Sequence, residues 1–161
     1  VVPAVHCSQI PANLTFPEAA CLPEIYITAW ANLIELGRIN ETSSVLIHGG
    51  SSGVGMASIQ LAKWRGSFVY TTVRNKTKAA FCEKLGADQV IIYPETNFYD
   101  FLMEKTDGCG VDVILDMVGG EYFQKNINIL NKFGRLINIA YLQSPLIKSY
   151  TLMLNNWKTC L

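Results

Sequence analysis

The residues best placed to do chemistry are the run His48-Gly49-Gly50-Ser51-Ser52-Gly53-Val54-Gly55 and the cation-bearing segment Arg74-Asn75-Lys76-Thr77-Lys78. Glycines remove the Cβ atoms that would hold backbone N–H groups away from an anion. A helix starting at such a run adds unpaired donors and the positive end of its dipole. That is chemistry for holding a pyrophosphate. Gly50 and Gly55 keep the first and last glycines of the G-x-G-x-x-G register, but Ser52 takes the middle place with Gly53 beside it. Taken alone, the run therefore also reads as an ordinary strand-to-helix turn.

The surrounding elements decide between the two readings. Short apolar runs at 45–48, 68–73, 89–93, 111–116 and 135–140 alternate with helical stretches at 54–65, 76–85, 98–105, 121–130 and 146–156. Near-continuous hydrophobicity bounded by glycine or charge suits strands buried on both faces, and repeated strand–helix units imply right-handed crossovers. The expected fold class is α/β, a Rossmann-type doubly wound parallel sheet with helices on both faces. Residues 1–14, punctuated by Pro3, Pro11 and Asn13, read as a lead-in or linker. From Thr15, a plausible N-cap, the pattern turns helical with Pro17 and Glu18 in the first turn. Pro23 interrupts it, and a second helix is expected over 24–36, ending at Gly37 as its C′ residue. The domain proper is 15–161.

In this architecture ligands bind at the carboxyl ends of the strands where the order reverses, and the glycine run sits after the first strand of the series. An NAD site usually carries an Asp or Glu about 20 residues past the loop to accept from the ribose 2′-hydroxyl. Here residues 73–78 contain no acid and three cations. A carboxylate would repel a 2′-phosphate while arginine and lysine pair with it, so NADPH is expected rather than NADH. The bland alternative is a solvated first helical turn.

The composition narrows the function classes. Thirteen basic residues balance thirteen acidic ones, which leaves no overall field for nucleic acid or an anionic membrane. No apolar run reaches membrane-spanning length. Five scattered cysteines without a C-x-x-C pair suggest reduced thiols and a cytoplasmic location. No metal site is expected. His48 is read as structural because no Ser, Cys or acidic partner stands at a meaningful spacing. Trp30, Trp64 and Trp157 are read as packing residues. Apolar residues make up 50% of the chain, a surplus that suggests a face meant to be covered.

Several blocks together carry a resemblance: residues 46–55, Ile59-Gln-Leu-Ala-Lys63, Lys84-Leu-Gly-Ala-Asp88, Tyr93, Gly110-Val-Asp-Val-Ile-Leu-Asp116 and Val118-Gly-Gly120. In order and spacing they resemble the quinone oxidoreductase and zeta-crystallin branch of the medium-chain dehydrogenases/reductases, over nearly the whole chain from Ile10. The resemblance implies a zinc-independent NADPH:quinone oxidoreductase. It implies a pyrophosphate loop at Gly50, Ser52, Gly53, Val54 and Gly55, and a 2′-phosphate clamp at Lys78 and Tyr93, with Arg74 and Asn75 beside it. The same resemblance implies that Thr28 falls beside the nicotinamide, the alternative being a helix residue bonding its own backbone, and that 116–120 and 139–142 border the dinucleotide. Arg74 departs from the pattern, which commonly has glycine there.

The resemblance further implies an upstream catalytic domain, a partly open β-barrel, so that the catalytic residues are unknown from this chain and the chain reads as a fragment, truncated at its C-terminus. It implies a homodimer of the full-length protein through the edge strand begun at 157–161, and a quinone or enone acceptor. Alternatives are a reductase of another activated alkene, such as an enoyl thioester, and a non-catalytic crystallin-like binding protein. Replacing Lys78 by Ala is expected to weaken NADPH binding much more than NADH binding, followed by tryptophan fluorescence. Equal loss for both cofactors would show that Lys78 does not read the 2′-phosphate.

Overall fold

The structure is a computed structural model that describes residues 1–144. The helix expected at 146–156, the edge strand at 157–161 and Trp157 lie outside the described residues. Five parallel strands form one sheet: β1 (Ser44–His48), β2 (Phe68–Val73), β3 (Gln89–Ile92), β4 (Val111–Asp116) and β5 (Leu130–Asn138), in the order β3-β2-β1-β4-β5. Chain order reverses between β1 and β4, so a crevice opens at their carboxyl ends. The helices are α1 (Phe16–Ala20), α2 (Leu22–Trp30), α3 (Gly53–Trp64), α4 (Lys76–Lys84), α5 (Phe98–Lys105) and α6 (Tyr122–Asn128). The expected Rossmann-type α/β sheet is the observed one.

Strand register explains why each apolar run is continuous. Val45 lies opposite Val69 and Val113, and all three face a core shared with Ile59 and Ala62 of α3 and Cys82 of α4. One residue on, Leu46 lies opposite Tyr70 and Ile114, and these face the second core with Phe98 and Leu102 of α5. Successive side chains point to opposite faces, so a strand covered on both sides needs apolar residues at every position.

The boundaries differ from the sequence reading where local chemistry was decisive. The second helix begins at Leu22, not after Pro23, because proline fits a first helical turn, where its missing N–H is no loss. Thr15 does cap α1, in a capping box with Glu18. After α2 the chain widens into a π-type turn, Ala31–Leu36, closed by the Gly37 N–H on the Asn32 carbonyl at 2.8 Å. Gly37 stays right-handed (φ −70°), and Arg38 takes the left-handed conformation (φ 52°) expected of a C′ glycine. α6 stops at Asn128, and β5 starts at Leu130 rather than near Arg135. Leu130 pairs with Val111 and Arg135 with Val113, so the extra residues bulge out, with Phe133 left-handed at φ 65°.

Residues 1–13 are exposed around a single 3-10 turn at Ala4–His6. Trp30 and Trp64 are not core residues: they stand 42% and 65% exposed on α2 and α3, with ring centroids 6.0 Å apart. Ile27 is 67% exposed on the same helix as Trp30, so part of the apolar surplus does lie at the surface. Cys7 and Cys21 are free and exposed, while Cys82 is free and buried.

Burial, with the neighbouring Glu83 charge, pushes the Cys82 thiol up to about 11, only partly offset by Lys78. Its thiolate is therefore scarce at neutral pH, as befits a packing residue. An alkylating reagent at pH 8 is expected to label Cys7 and Cys21 in the native protein and to spare Cys82 until denaturant is added, as read by peptide mass mapping. Leu46 is fully buried at the centre of the sheet, so Leu46→Ala should cost about 3 kcal/mol of stability. In urea titration this shows as a lower midpoint at unchanged slope.

Candidate functional site at the carboxyl edge of the sheet

The turn after β1 is built by backbone bonds. Gly49 is left-handed (φ 67°), the Gly50 N–H donates to the Thr72 carbonyl at 3.2 Å, and the Ser52 N–H donates to the Gly49 carbonyl at 2.9 Å. Ser52 is extended (φ −79°, ψ 164°) and caps α3, its Oγ accepting the Gly55 N–H at 3.1 Å. Two of the glycines are needed for close approach. A Cβ on Gly50 would run into the Thr71 hydroxyl, and one on Gly55 would strike the Gly49 carbonyl and lie 2.8 Å from the Gly50 Cα. The half-buried Val54 side chain packs against the core. Gly53 and Val54 supply the first two N–H groups of α3, which have no acceptor within the helix.

Helix α2 lies against this turn. A Cβ on Gly53 would come within 3.1 Å of Ile25 Cγ2. Thr28 is half-buried one turn beyond Ile25, and its carbonyl accepts the Asn32 side-chain amide at 2.8 Å.

The cationic segment stands at the adjoining strand ends. Arg74, at the exit of β2, donates from Nε to the Tyr93 hydroxyl at 3.1 Å. Tyr93, at the exit of β3, is tied back by its own N–H to the Val73 carbonyl at 3.1 Å. Asn75 caps α4, its Oδ1 accepting the Lys78 N–H at 3.0 Å. Arg74, Asn75 and Lys78 are all exposed. The structure thus brings Arg74 and Tyr93 into contact and places Lys78 in the first turn of α4, while the Ser52 and Asn75 side chains are occupied as helix caps. Tyr93 also borders a cavity of about 330 Å³ with Thr96, Phe98, Tyr122 and Lys125.

Sequence reasoning missed a buried polar network beneath this edge. His48 is fully buried: its Nδ1 lies 3.1 Å from Thr72 Oγ1 and its Nε2 lies 2.8 Å from Asn126 Oδ1. Asn126 reaches Asp116 Oδ2 at 3.1 Å, and Asn138 reaches the same oxygen at 2.9 Å. The other carboxylate oxygen accepts the Val118 and Gly119 N–H groups at 2.7 and 3.2 Å. Phe98 and Tyr122 stack edge-on against the imidazole, each with centroids 4.9 Å away. Burial holds His48 below its ordinary pKa, against the opposing pull of Asn126 and Asp116, so the ring is neutral at pH 7. The sequence shows Thr72 and Asp116 as polar residues near the ends of apolar strands, but nothing local marks Asn126 within the polar helix α6 or links the three to His48.

The loop after β5 closes the border. Ile139 N–H donates to the Asp116 carbonyl at 2.9 Å and Leu142 N–H to the Met117 carbonyl at 3.2 Å. The segments 116–120 and 139–142 therefore run side by side along the crevice.

Comparison with known proteins agrees with this geometry. The chain is 40% identical over 131 residues to a phenolphthiocerol/phthiocerol polyketide synthase of Mycobacterium tuberculosis, an alignment covering 81% of this chain and 6% of that protein. Among solved structures, the CurK enoyl reductase is 32% identical with a TM-score of 0.79, over 84% of this chain and 40% of that one. A mycobacterial protein, Rv1454c, solved in complex with NADPH, is 30% identical with a TM-score of 0.84, over 92% of this chain and 46% of that one. The chain thus spans less than half the length of each. No helix among the described residues is long and apolar enough to cross a membrane. The sequence pattern of the zinc-binding dehydrogenase family matches residues 53–159. With a glycine turn at the switch point of a parallel sheet and that match across most of its length, the chain belongs to the zinc-binding dehydrogenase family of the medium-chain dehydrogenases/reductases.

Proposed function

We propose that this chain is the NADPH-binding part of a reductase that saturates an activated carbon–carbon double bond, with an enoyl thioester as the acceptor class. The observation that carries the cofactor half is the pairing of a glycine turn opening α3 with the Arg74–Tyr93 contact at the next strand ends and Lys78 in the first turn of α4, in a segment, 73–78, that holds no acidic residue. In this reading the Gly53 and Val54 amides receive the pyrophosphate and the positive end of α3 faces it. Lys78 and the outer nitrogens of Arg74 receive the 2′-phosphate, with the Arg74 Nε bond to Tyr93 setting the plane of the guanidinium. Thr28 stands on the nicotinamide side.

When bound, NADPH supplies the hydride, so the protein's task is orientation and exclusion of water more than proton chemistry. The acceptor half rests on the relatives. The sequence reading put a quinone first, but the similarity to a polyketide synthase and to an enoyl reductase structure favours the enoyl thioester. A homodimer of the full-length protein and a cytoplasmic location remain part of the proposal. The family name points to zinc, yet among the described residues no group of three or more His, Cys, Asp or Glu lies together. These residues do not fit a zinc site, and no step is assigned to a metal.

The decisive assay follows NADPH oxidation by the full-length protein with a crotonyl thioester and, separately, with a simple quinone. Turnover of the thioester at a kcat/KM at least about tenfold above the quinone's, about 1.4 kcal/mol of transition-state preference, is expected. Preference for the quinone returns the acceptor to the first expectation, and consumption of neither overturns the reductase reading.

A further inference from the structure

The buried network has a direction that its two ends impose. As a carboxylate, Asp116 offers only acceptors, so Asn126 must turn its NH2 group to it. That places Asn126 Oδ1 against His48 Nε2, and an amide oxygen cannot donate, so Nε2 carries the imidazole proton. In the neutral ring Nδ1 is then an acceptor, and among the described residues the hydrogen it receives is that of the Thr72 hydroxyl at 3.1 Å. Thr72 Oγ1 in turn accepts the Gly49 N–H at 3.3 Å. Every donor points the same way, from the first residue of the glycine turn to the carboxylate.

We propose that Thr72, His48 and Asn126 are positioning residues for the cofactor: they form a one-way hydrogen-bond chain from the Gly49 N–H to Asp116. That chain holds the turn after β1 and the loop after β4 in a single frame around the pyrophosphate. This inference rests on the NADPH-binding reading. Two features make the frame effective. Gly49 is the residue where the backbone leaves β1 in a left-handed conformation, so a shift there moves all the following amides. At the other end Asp116 fixes the Val118 and Gly119 amides of the opposite wall and, through Asn138, the end of β5. The walls also touch directly, Ser52 Oγ to Met117 Sδ at 3.5 Å. None of the three positioning side chains needs to touch the cofactor.

The hydroxyl of Thr72 is the link that can be removed without changing shape. In the full-length protein, Thr72→Val leaves both the Gly49 N–H and His48 Nδ1 without a partner, whereas Thr72→Ser keeps the hydroxyl. NADPH titration of folded protein is expected to show about tenfold weaker binding for Thr72→Val and binding within about twofold of the unmodified protein for Thr72→Ser. A residue that merely supports the fold would lower the thermal midpoint but leave the affinity of the folded fraction alone. In parallel, nitrogen NMR of the unmodified protein reads the His48 tautomer, expected as Nε2–H, with the Nδ1 resonance shifting when NADPH is added. This second measurement stands even where Thr72→Val does not fold. Equal affinities for the two Thr72 variants, an Nδ1–H tautomer, or an Nδ1 resonance unmoved by bound NADPH would each overturn the inference while leaving the cofactor reading intact. No NADPH binding by the unmodified protein would overturn the cofactor reading itself, and this inference with it.

Discussion

A parallel sheet covered on both faces leaves polar groups almost nowhere to go except its ends. In this chain that constraint is severe: Val45, Leu46, Ile47, Val113, Ile114 and Leu115 are all within 1% of complete burial, and unpaired polar atoms among them would cost several kcal/mol each, on the order of a carbonyl or hydroxyl stripped of water. Polar chemistry is pushed to the carboxyl edge, where β1 and β4 diverge. The residues that remain polar just inside the edge, His48, Thr72, Asp116 and Asn126, are tolerated because each supplies what the next requires. Complete satisfaction turns a liability into rigidity, since no member can move without orphaning another.

The same constraint governs the helix starts. Ser52 and Asn75 both occupy places where a side chain facing a phosphate could stand, and both commit their oxygens to N-caps instead. Capping and ligand contact compete for one oxygen, and a cap contributes about 1 kcal/mol whether or not ligand is present. The groups left to meet an anion are therefore backbone amides and the long cationic side chains. This division suits a site whose shape is fixed by backbone and whose charge is carried by side chains that can adjust.

Much of this was legible in the sequence because two strong periodicities agree. The unbroken apolar runs at 45–48 and 111–116 marked doubly buried strands, and the glycine turn between the first strand and first helix of the series marked the switch point. Ends and irregularities were less legible. Nothing local distinguishes Leu130 as the start of β5, because its pairing with Val111 is a long-range event that the bulge at Phe133 makes possible. Gly37 looked like a left-handed stop, but the wide turn before it shifts that role to Arg38. The network at the edge was invisible for the opposite reason. His48 and Asn126 are 78 positions apart, and only the folded sheet and α6 make them neighbours. That Trp30 and Trp64 pack on each other at the surface was not legible either, because an amphipathic ring is at home both in a core and on a surface.

That surface position has an optical consequence. The Trp30 and Trp64 rings lie 6.0 Å apart at a tilt of 34°, close enough for excitation to migrate between them. They sit on the two helices that meet at the glycine turn, with Arg65 over the Trp64 ring at 5.7 Å. Their emission is therefore a property of the pair, and its depolarisation is sensitive to the angle between α2 and α3. The chain carries, on the outside of its sheet, a goniometer for the seam between those two helices.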